Sequence, residues 1–502
     1  MSIETPQYPI AILGTGFAGL GVAIKLKEAG EHDFVVLERA SDVGGTWRDN
    51  TYPGCQCDIP SHLYSFSFAP NPNWSRLFPT QPEIWDYLRD CTDRYGVREH
   101  IRFDCEVQGA EWDGDNGFWR VATSQGEVTA RYVISGQGGL SEPSLPDIKG
   151  IESFAGAMFH SARWDHDHDL RGERVAVIGT GASSIQFIPY IQPEVGELKL
   201  FQRTPPWIMP HPDREVRGFE KKLFKRLPFT QKLFRLGVYA FFESRILPFT
   251  KRPDLMKAGE QIAKRNMRKQ IPDDRELRRK LTPTYRMGCK RILMSDTYYK
   301  ALAQPNADVV TDAIAEIRPN GIVTADGTLH EVDTIIMGTG FYVADLPFAA
   351  GVRGRDGRTM AEHFDGSPQG YLGTNVAGFP NLFLLTGPNT GLGHNSMVYM
   401  IESQIAYVLD ALRTMRKRGA EILEVRAEAQ AEFNAEVQSR MKGTVWTTGG
   451  CASWYIDRNG LNTTLWPGWT WEYRRRTRKF DPAPYELSAV PAPVAPAKPV
   501  AV

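Results

Sequence analysis

Pro9-Ile10-Ala11-Ile12-Leu13-Gly14-Thr15-Gly16-Phe17-Ala18-Gly19 decides how the chain begins to fold. Pro9 to Leu13 is an apolar run of the kind that forms a buried parallel strand. The glycine loop follows, and helical periodicity then extends to about Ala29. A second strand, Phe34 to Leu37, ends at Glu38, which lies 19 residues after Gly19. Strand, glycine loop, helix, strand and acid in this order form a dinucleotide-binding βαβ unit. Gly14 permits a tight turn, Gly16 admits a pyrophosphate close to the backbone, and Gly19 lets helix and strand pack closely. The free N–H groups at Phe17 and Ala18 face the phosphates together with the helix dipole. Glu38, with Arg39 beside it, is expected at the adenosine ribose.

The unit recurs further along. Arg174 to Ile178 reads as a strand, Gly179-Thr180-Gly181-Ala182-Ser183-Ser184 as the loop, Ala182 to Ile191 as the helix and Leu198 to Phe201 as the next strand. Ser184 replaces the third glycine and is small enough to keep the packing. The strand ends in Gln202-Arg203-Thr204 where the first unit has Glu38. A carboxylate there repels a 2′-phosphate, whereas an arginine accepts it through charge-assisted bonds. The first site is therefore expected to take FAD and the second NADPH rather than NADH. A solvated arginine at a strand end is the plainer account of Arg203.

The expected fold is α/β, with two Rossmann-like dinucleotide-binding domains and a helical insertion. The FAD-binding domain is assigned 1–145 and 335–480, and the NADPH-binding domain 146–215 and 281–334. Residues 216–280, rich in Lys, Arg, Phe and Leu at helical spacing, form the insertion. The Pro-, Ala- and Val-rich stretch 481–502 reads as a flexible tail. Thr334 to Met337 leads into a further turn at Gly338-Thr339-Gly340, and helices are expected over Met400 to Arg416 and Ala427 to Met441.

The 502 residues include 42% hydrophobic and 24% charged ones, ordinary for a globular protein with a large core. Lys+Arg and Asp+Glu both number 59, so no net charge draws the chain to nucleic acid or acidic membranes. No charged stretch followed by an apolar run marks a signal peptide, and Leu233 to Phe249 is interrupted as a span by Arg235, Glu243 and Arg245. The six cysteines show no CxxC or zinc spacing and are expected to be reduced thiols in a cytoplasmic protein. His166-Asp167-His168-Asp169 alternates on a loop without coordination geometry, so no metal is expected.

Just before the second unit stands Phe154-x-Gly156-x3-His160-x3-Trp164-Asp165, and early in the chain Gly44-Gly45-x-Trp47-x4-Tyr52-Pro53-Gly54-x3-Asp58. With these two motifs around two nucleotide loops, the chain resembles the Baeyer–Villiger monooxygenases that carry FAD and use NADPH in one polypeptide. The resemblance covers roughly residues 8 to 480. It implies that NADPH reduces FAD, that dioxygen adds to give a flavin peroxide, and that one oxygen atom enters beside a ketone carbonyl to form an ester or lactone. It places Arg291, of the pair Lys290-Arg291, beside the peroxide as a fixed cation. Asp58 is then the carboxylate that orients Arg291, and Lys290, Arg203 and Thr204 hold the 2′-phosphate. Gly45, Thr46, Trp47, Tyr64, Val107, Gly338, Thr339, Gly340 and Asn389 fall among the expected cofactor contacts. Trp454 matches a tryptophan that folds over the nicotinamide. Phe154, Gly156, His160, Trp164 and Asp165 are assigned to communication between the domains rather than to chemistry.

Three rivals follow from the same residues. A heteroatom oxygenase uses the same cofactors on sulfides or amines, but its fingerprint lacks the Trp164-Asp165 ending. A disulfide reductase needs a suitably spaced cysteine pair facing the flavin. A redox sensor would leave both motifs without a purpose. Trp466-Pro467-Gly468-Trp469-Thr470-Trp471, followed by Arg474-Arg475-Arg476, reads as a packed segment with a solvated basic end rather than as a membrane or nucleic-acid patch. The expected partners are a ketone and dioxygen, with the chain a monomer or weak homo-oligomer.

Overall fold

The computed structural model describes residues 4–343 and 347–490. Its first sheet is built on Tyr8–Leu13, which pairs in parallel with Phe34–Leu37 on one side and Gly126–Ser135 on the other. Ile10 stands opposite both Phe34 and Tyr132. Leu382–Leu384 adds a further parallel strand on Gly126–Ser135, and Val107–Asp113 and Phe118–Thr123 extend the sheet as an antiparallel ribbon. The helix Phe17–Glu28 begins directly after the glycine loop, and Phe17 to Ile24 are all buried. Gly19 has no room for a side chain: a Cβ there would lie 1.9 Å from the Gly14 carbonyl oxygen.

The second sheet is parallel throughout among the described strands, in the order Ala307–Val310, Glu197–Phe201, Arg174–Ile178, Thr334–Met337, Ala157–His160. Its central strands Arg174–Ile178 and Thr334–Met337 are buried nearly throughout, which is why they read as continuous hydrophobic runs rather than as alternation. The chain crosses between the sheets twice, and the crossings touch. Ser144 N–H donates to the Gly340 carbonyl at 2.9 Å, and Thr339 Oγ1 donates to the Ser144 carbonyl at 2.5 Å.

The insertion is helical as expected, with Gly218–Arg226, Pro228–Ser244, Ile246–Thr250, Met256–Gln270 and Arg275–Lys280. It leaves after Ile208–Met209 and returns into Leu293–Met294, and these two short strands pair in parallel. Trp207 Nε1 donates to the Tyr285 carbonyl at 2.8 Å, so the returning chain is anchored just before Lys290-Arg291. The helix Met397–Arg418 starts three residues before the expected Met400.

The expectation of a flexible tail over 481–502 fails for its first part. Tyr485–Ser488 forms a strand antiparallel to Ile422–Val425. Tyr485 is buried, and its hydroxyl bonds to Asn375 Oδ1 at 2.9 Å and to the Tyr407 hydroxyl at 2.8 Å. A buried aromatic with a satisfied hydroxyl outweighs the Pro- and Ala-rich composition that follows it. Residues 491–502 lie outside the described residues.

Candidate functional site

A cavity of about 1610 Å³ lies where the two glycine loops face each other, at the C-terminal ends of both parallel sheets. From the first unit Gly14, Gly16, Phe17, Ala18, Glu38 and Arg39 line it, joined by Gly45, Thr46, Trp47, Tyr64 and Val107. Gly19 is off the wall and serves the helix–strand contact. Glu38 is buried and already oriented: it accepts from Thr15 N–H at 3.0 Å, Thr15 Oγ1 at 2.5 Å, Ala40 N–H at 3.0 Å and Arg48 Nη1 at 2.8 Å. Arg48 was not among the expected site residues. It sits at a variable position of the second motif, where no pattern marks it. Arg39 pairs with Glu142.

From the second unit Gly179, Thr180, Gly181, Ala182 and Ser183 line the cavity. Ser184 does not. It is buried, and a Cβ on Gly338 would fall 2.1 Å from its Oγ, so it occupies the space between helix and strand that a third glycine leaves open. Gly338, Thr339 and Gly340 are on the wall, as are Arg203, Thr204 and Lys290. The Lys290 ammonium titrates below its usual range, first because it is partly buried and then because Arg203 repels it. Two cations that face each other, with no salt-bridge partner among the described residues, leave this corner suited to a multiply charged anion.

Arg291 and Asp58, 233 positions apart, form a two-pronged ion pair, Nε to Oδ2 at 2.7 Å and Nη2 to Oδ1 at 2.6 Å. Nη1 reaches the Leu392 carbonyl at 3.4 Å. Burial by itself pushes the Asp58 carboxyl up, but Arg291 more than offsets this and holds it below the ordinary carboxylate range. The same pair raises Arg291 against the opposing effect of burial. Arg291 keeps 33% of its side-chain surface open, and the opening is to the cavity it lines. Trp454 stands on the same wall, half exposed.

The expectation of six reduced thiols is corrected here. Cys289 and Cys451 are joined in a disulfide, and the remaining four cysteines are free and buried. The bond ties the segment of Lys290-Arg291 to the segment of Trp454. Arg286 N–H donates to the Gly449 carbonyl at 2.9 Å alongside it. Neither bonded cysteine is among the cavity-lining residues, which leaves the disulfide-reductase alternative without its reacting pair. Burial pushes the Cys55 thiol up to about 12, so it is no nucleophile either.

Asn389 is a second correction. Its side chain turns away from the cavity and donates to the Asn462 and Leu465 carbonyls at 2.8 and 2.9 Å. Its neighbours Pro388, Thr390 and Gly391 line the wall instead. None of Phe154, Gly156, His160, Trp164 and Asp165 lines the cavity. His160 ends the strand that pairs with Thr334–Met337, and its Nδ1 accepts from Ala162 N–H at 3.1 Å. Trp164 packs on Phe159 and Phe187. Part of the early motif also serves contact between the units. Tyr52 Oη donates to Gln186 Oε1 at 2.9 Å, and Gly54, at φ 77°, lies under the Tyr190 ring with no space for a Cβ. Among the described residues no cluster of His, Cys, Asp and Glu is placed to hold a metal ion.

Two glycine loops with free helix N-termini, an oriented acid beside one and a cation pair beside the other fit two dinucleotides of different charge. Residues 11–232 match the family model described as pyridine nucleotide-disulphide oxidoreductase. A Baeyer–Villiger monooxygenase of Pseudomonas aeruginosa is 53% identical over 485 residues, spanning 96% of this chain and 92% of that protein. The solved cyclohexanone monooxygenase of Rhodococcus sp. Phi1 bound to NADP+ superposes with a TM-score of 0.85 at 28% identity, covering 97% of this chain and all of that one. The OTEMO complex with FAD and NADP superposes at 0.86 with 30% identity and the same coverage. The fold and cavity are those of a flavoprotein monooxygenase with two nucleotide sites, and the chain belongs to the Baeyer–Villiger monooxygenases.

Proposed function

We infer that this chain binds FAD at the first glycine loop and NADPH at the second, and that it converts ketones to esters or lactones with dioxygen. FAD reduced by NADPH supplies activated oxygen. One oxygen atom enters beside the carbonyl, the other leaves as water, and NADPH leaves as NADP+. The protein's own part is binding, orientation and charge. Gly14, Gly16 and Phe17 receive the FAD pyrophosphate, and Glu38 receives its ribose. Lys290, Arg203 and Thr204 take the 2′-phosphate. Arg291, fixed by Asp58, keeps its proton throughout and presents a positive charge to oxygen that becomes negative as the carbonyl is attacked. Trp454 shields the nicotinamide side of the cavity from water.

The observation that carries this reading is the fork of Arg291 on Asp58 in a wall shared by both loops. It is tested by incubating the purified protein with NADPH, 18O-labelled dioxygen and a panel of linear, cyclic and aryl ketones plus an aryl sulfide. An ester or lactone with one labelled oxygen is expected, with sulfoxide as a side product. Sulfoxide as the sole product would overturn the reading in favour of a heteroatom oxygenase.

The partition into residues 1–145 with 335–480, 146–215 with 281–334, and 216–280 belongs to the same reading. The two sheets and the helical run between them support it, with the boundary at 335 moved past Met337, because Thr334–Met337 lies inside the second sheet. No described helix is long and apolar enough to cross a membrane. The reading places the enzyme in the cytoplasm, where NADPH is regenerated, as a monomer or weak homo-oligomer.

A further inference from the structure

The helices Gly218–Arg226 and Pro228–Ser244 carry large apolar side chains on their outer as well as their inner side. Their buried side mixes the aromatic rings of Phe224 and Phe242 with bonded polar groups. Arg235 Nη1 donates to the His62 and Ser65 carbonyls at 2.6 and 2.9 Å, and Glu243 accepts from Asn395 Nδ2 at 2.6 Å and Thr470 N–H at 2.6 Å. Their outer side is apolar. Phe219, Phe229, Leu233, Leu236 and Phe241 are each 57–61% exposed. Phe229, Leu233, Leu236 and Ala240 follow at spacings of four, three and four, so they form one stripe along the helix. Contiguous apolar surface of this kind marks a place of contact.

Lys222, Lys225, Arg226 and Lys232 are exposed on the same two helices. The single acid between residues 218 and 242 is Glu220, which is bound to Arg214 at 2.7 Å. A chain with no net charge thus concentrates positive charge around an apolar stripe. At the far end Trp471 is 47% exposed, with the Arg475 guanidinium 5.8 Å from its ring. It adjoins the longer helix through Thr470, whose Oγ1 lies 3.0 Å from the Tyr239 hydroxyl. Aromatic, aliphatic and cationic groups in this arrangement suit the headgroup layer of a bilayer. A two-fold contact with a second copy would set these cations against themselves.

We propose that the outer face of the helical insertion docks on the surface of an anionic phospholipid bilayer. The stripe of Phe229, Leu233, Leu236 and Ala240 enters the headgroup layer, and Lys222, Lys225, Arg226 and Lys232 pair with lipid phosphates. Glu243 bonds Asn395, which lines the cavity, so docking brings one cavity wall close to a phase that concentrates apolar ketones. That last step rests on the ketone reading above, whereas docking itself does not.

The test is flotation of the full-length flavoprotein with vesicles of phosphatidylcholine, alone or mixed with phosphatidylglycerol. Binding to the anionic vesicles, released by high salt, is expected. Phe229→Ser combined with Leu233→Ser and Leu236→Ser should weaken it at least about tenfold, with NADPH oxidation and Tm unchanged. Lys222→Glu with Lys225→Glu and Lys232→Glu should abolish the preference for anionic vesicles. No flotation with anionic vesicles, or equal flotation of wild type and both variants, would overturn the proposal. So would a dimer in sedimentation that the serine variant dissociates, because the stripe would then be covered by a second copy. Because flotation needs no substrate, failure here leaves the ketone reading standing, and the reverse also holds.

Discussion

Arg291 gives Nε and Nη2 to Asp58, while Nη1 reaches the Leu392 carbonyl on the cavity wall. A lysine has no such fork, so Arg291→Lys keeps the charge but loses its position. Arg291→Ala should lower ester formation by about 10²–10³-fold or more, the cost of losing one positioned charge donor. Flavin reduction by NADPH, followed by stopped-flow absorbance, should stay within a few-fold of wild type. Normal ester formation by Arg291→Ala would sink the assignment. Lys290 and Arg203 make a separate claim. A hydrogen bond to a charged group contributes about 1.5–3 kcal/mol, so Lys290→Ala and Arg203→Ala should each raise the KM for NADPH by about tenfold or more. The KM for NADH should barely change, because only the 2′-phosphate is lost. A parallel rise for both coenzymes would place these cations elsewhere than at that phosphate.

Two elements hold the site from outside. The strand Tyr485–Ser488 pairs with Ile422–Val425 in a two-stranded sheet and seats Tyr485 in the core. Tyr485→Ala should cost about 3–5 kcal/mol in urea unfolding, as expected for a buried aromatic deleted to a methyl group. A loss under about 1 kcal/mol would mean that the strand is peripheral to the fold. The second element is the returning segment after the insertion, joined by Cys289–Cys451 across 162 positions. Closing a long loop restricts the unfolded chain, so Cys451→Ser should lower stability by about 2–4 kcal/mol. The same loss should appear in the wild type under reducing conditions, and equal unfolding midpoints with and without reductant would count against the bond.

For the molecule as a whole, buried histidines set the response to acid. Burial lowers His62 to about 4, assisted by Arg235, and burial likewise lowers His160 to about 4. Their folded pKa values lie below the unfolded value of about 6.5. Between about pH 6.5 and 4 the unfolded chain therefore binds more protons, and stability falls as pH drops through that window. His211 and His363 shift in the same direction, also through burial. Unfolding free energy measured against pH should show a slope approaching at least two protons there, and His160→Gln should remove about one of them. Asp58 acts at lower pH. Its folded pKa is depressed, so its contribution is present above the unfolded value of about 3.9 and is lost as pH falls through the folded one.

Much of the fold was legible because its signals are local. The strands Phe34–Leu37, Arg174–Ile178 and Thr334–Met337 and the helices Ala182–Ile191 and Ala427–Met441 have the expected bounds. An apolar run, a glycine with positive φ and a helical period each act within a few residues. Other features depend on neighbours far along the chain. Cys289 and Cys451 meet only after the insertion folds back, and Arg48 reaches Glu38 only once the loop after Phe34–Leu37 closes. Asn389 turns from the cavity because the carbonyls of Asn462 and Leu465 lie behind it. Asp58 and Arg291 could be paired in advance by family resemblance alone, since nothing within either segment refers to the other. The helix Pro228–Ser244 shows why such facts stay hidden: its periodicity defines two faces, but the surrounding chain decides which face is buried. Here the face carrying Phe242 and the bonded Arg235 and Glu243 is buried, and Phe229, Leu233 and Leu236 are left outside.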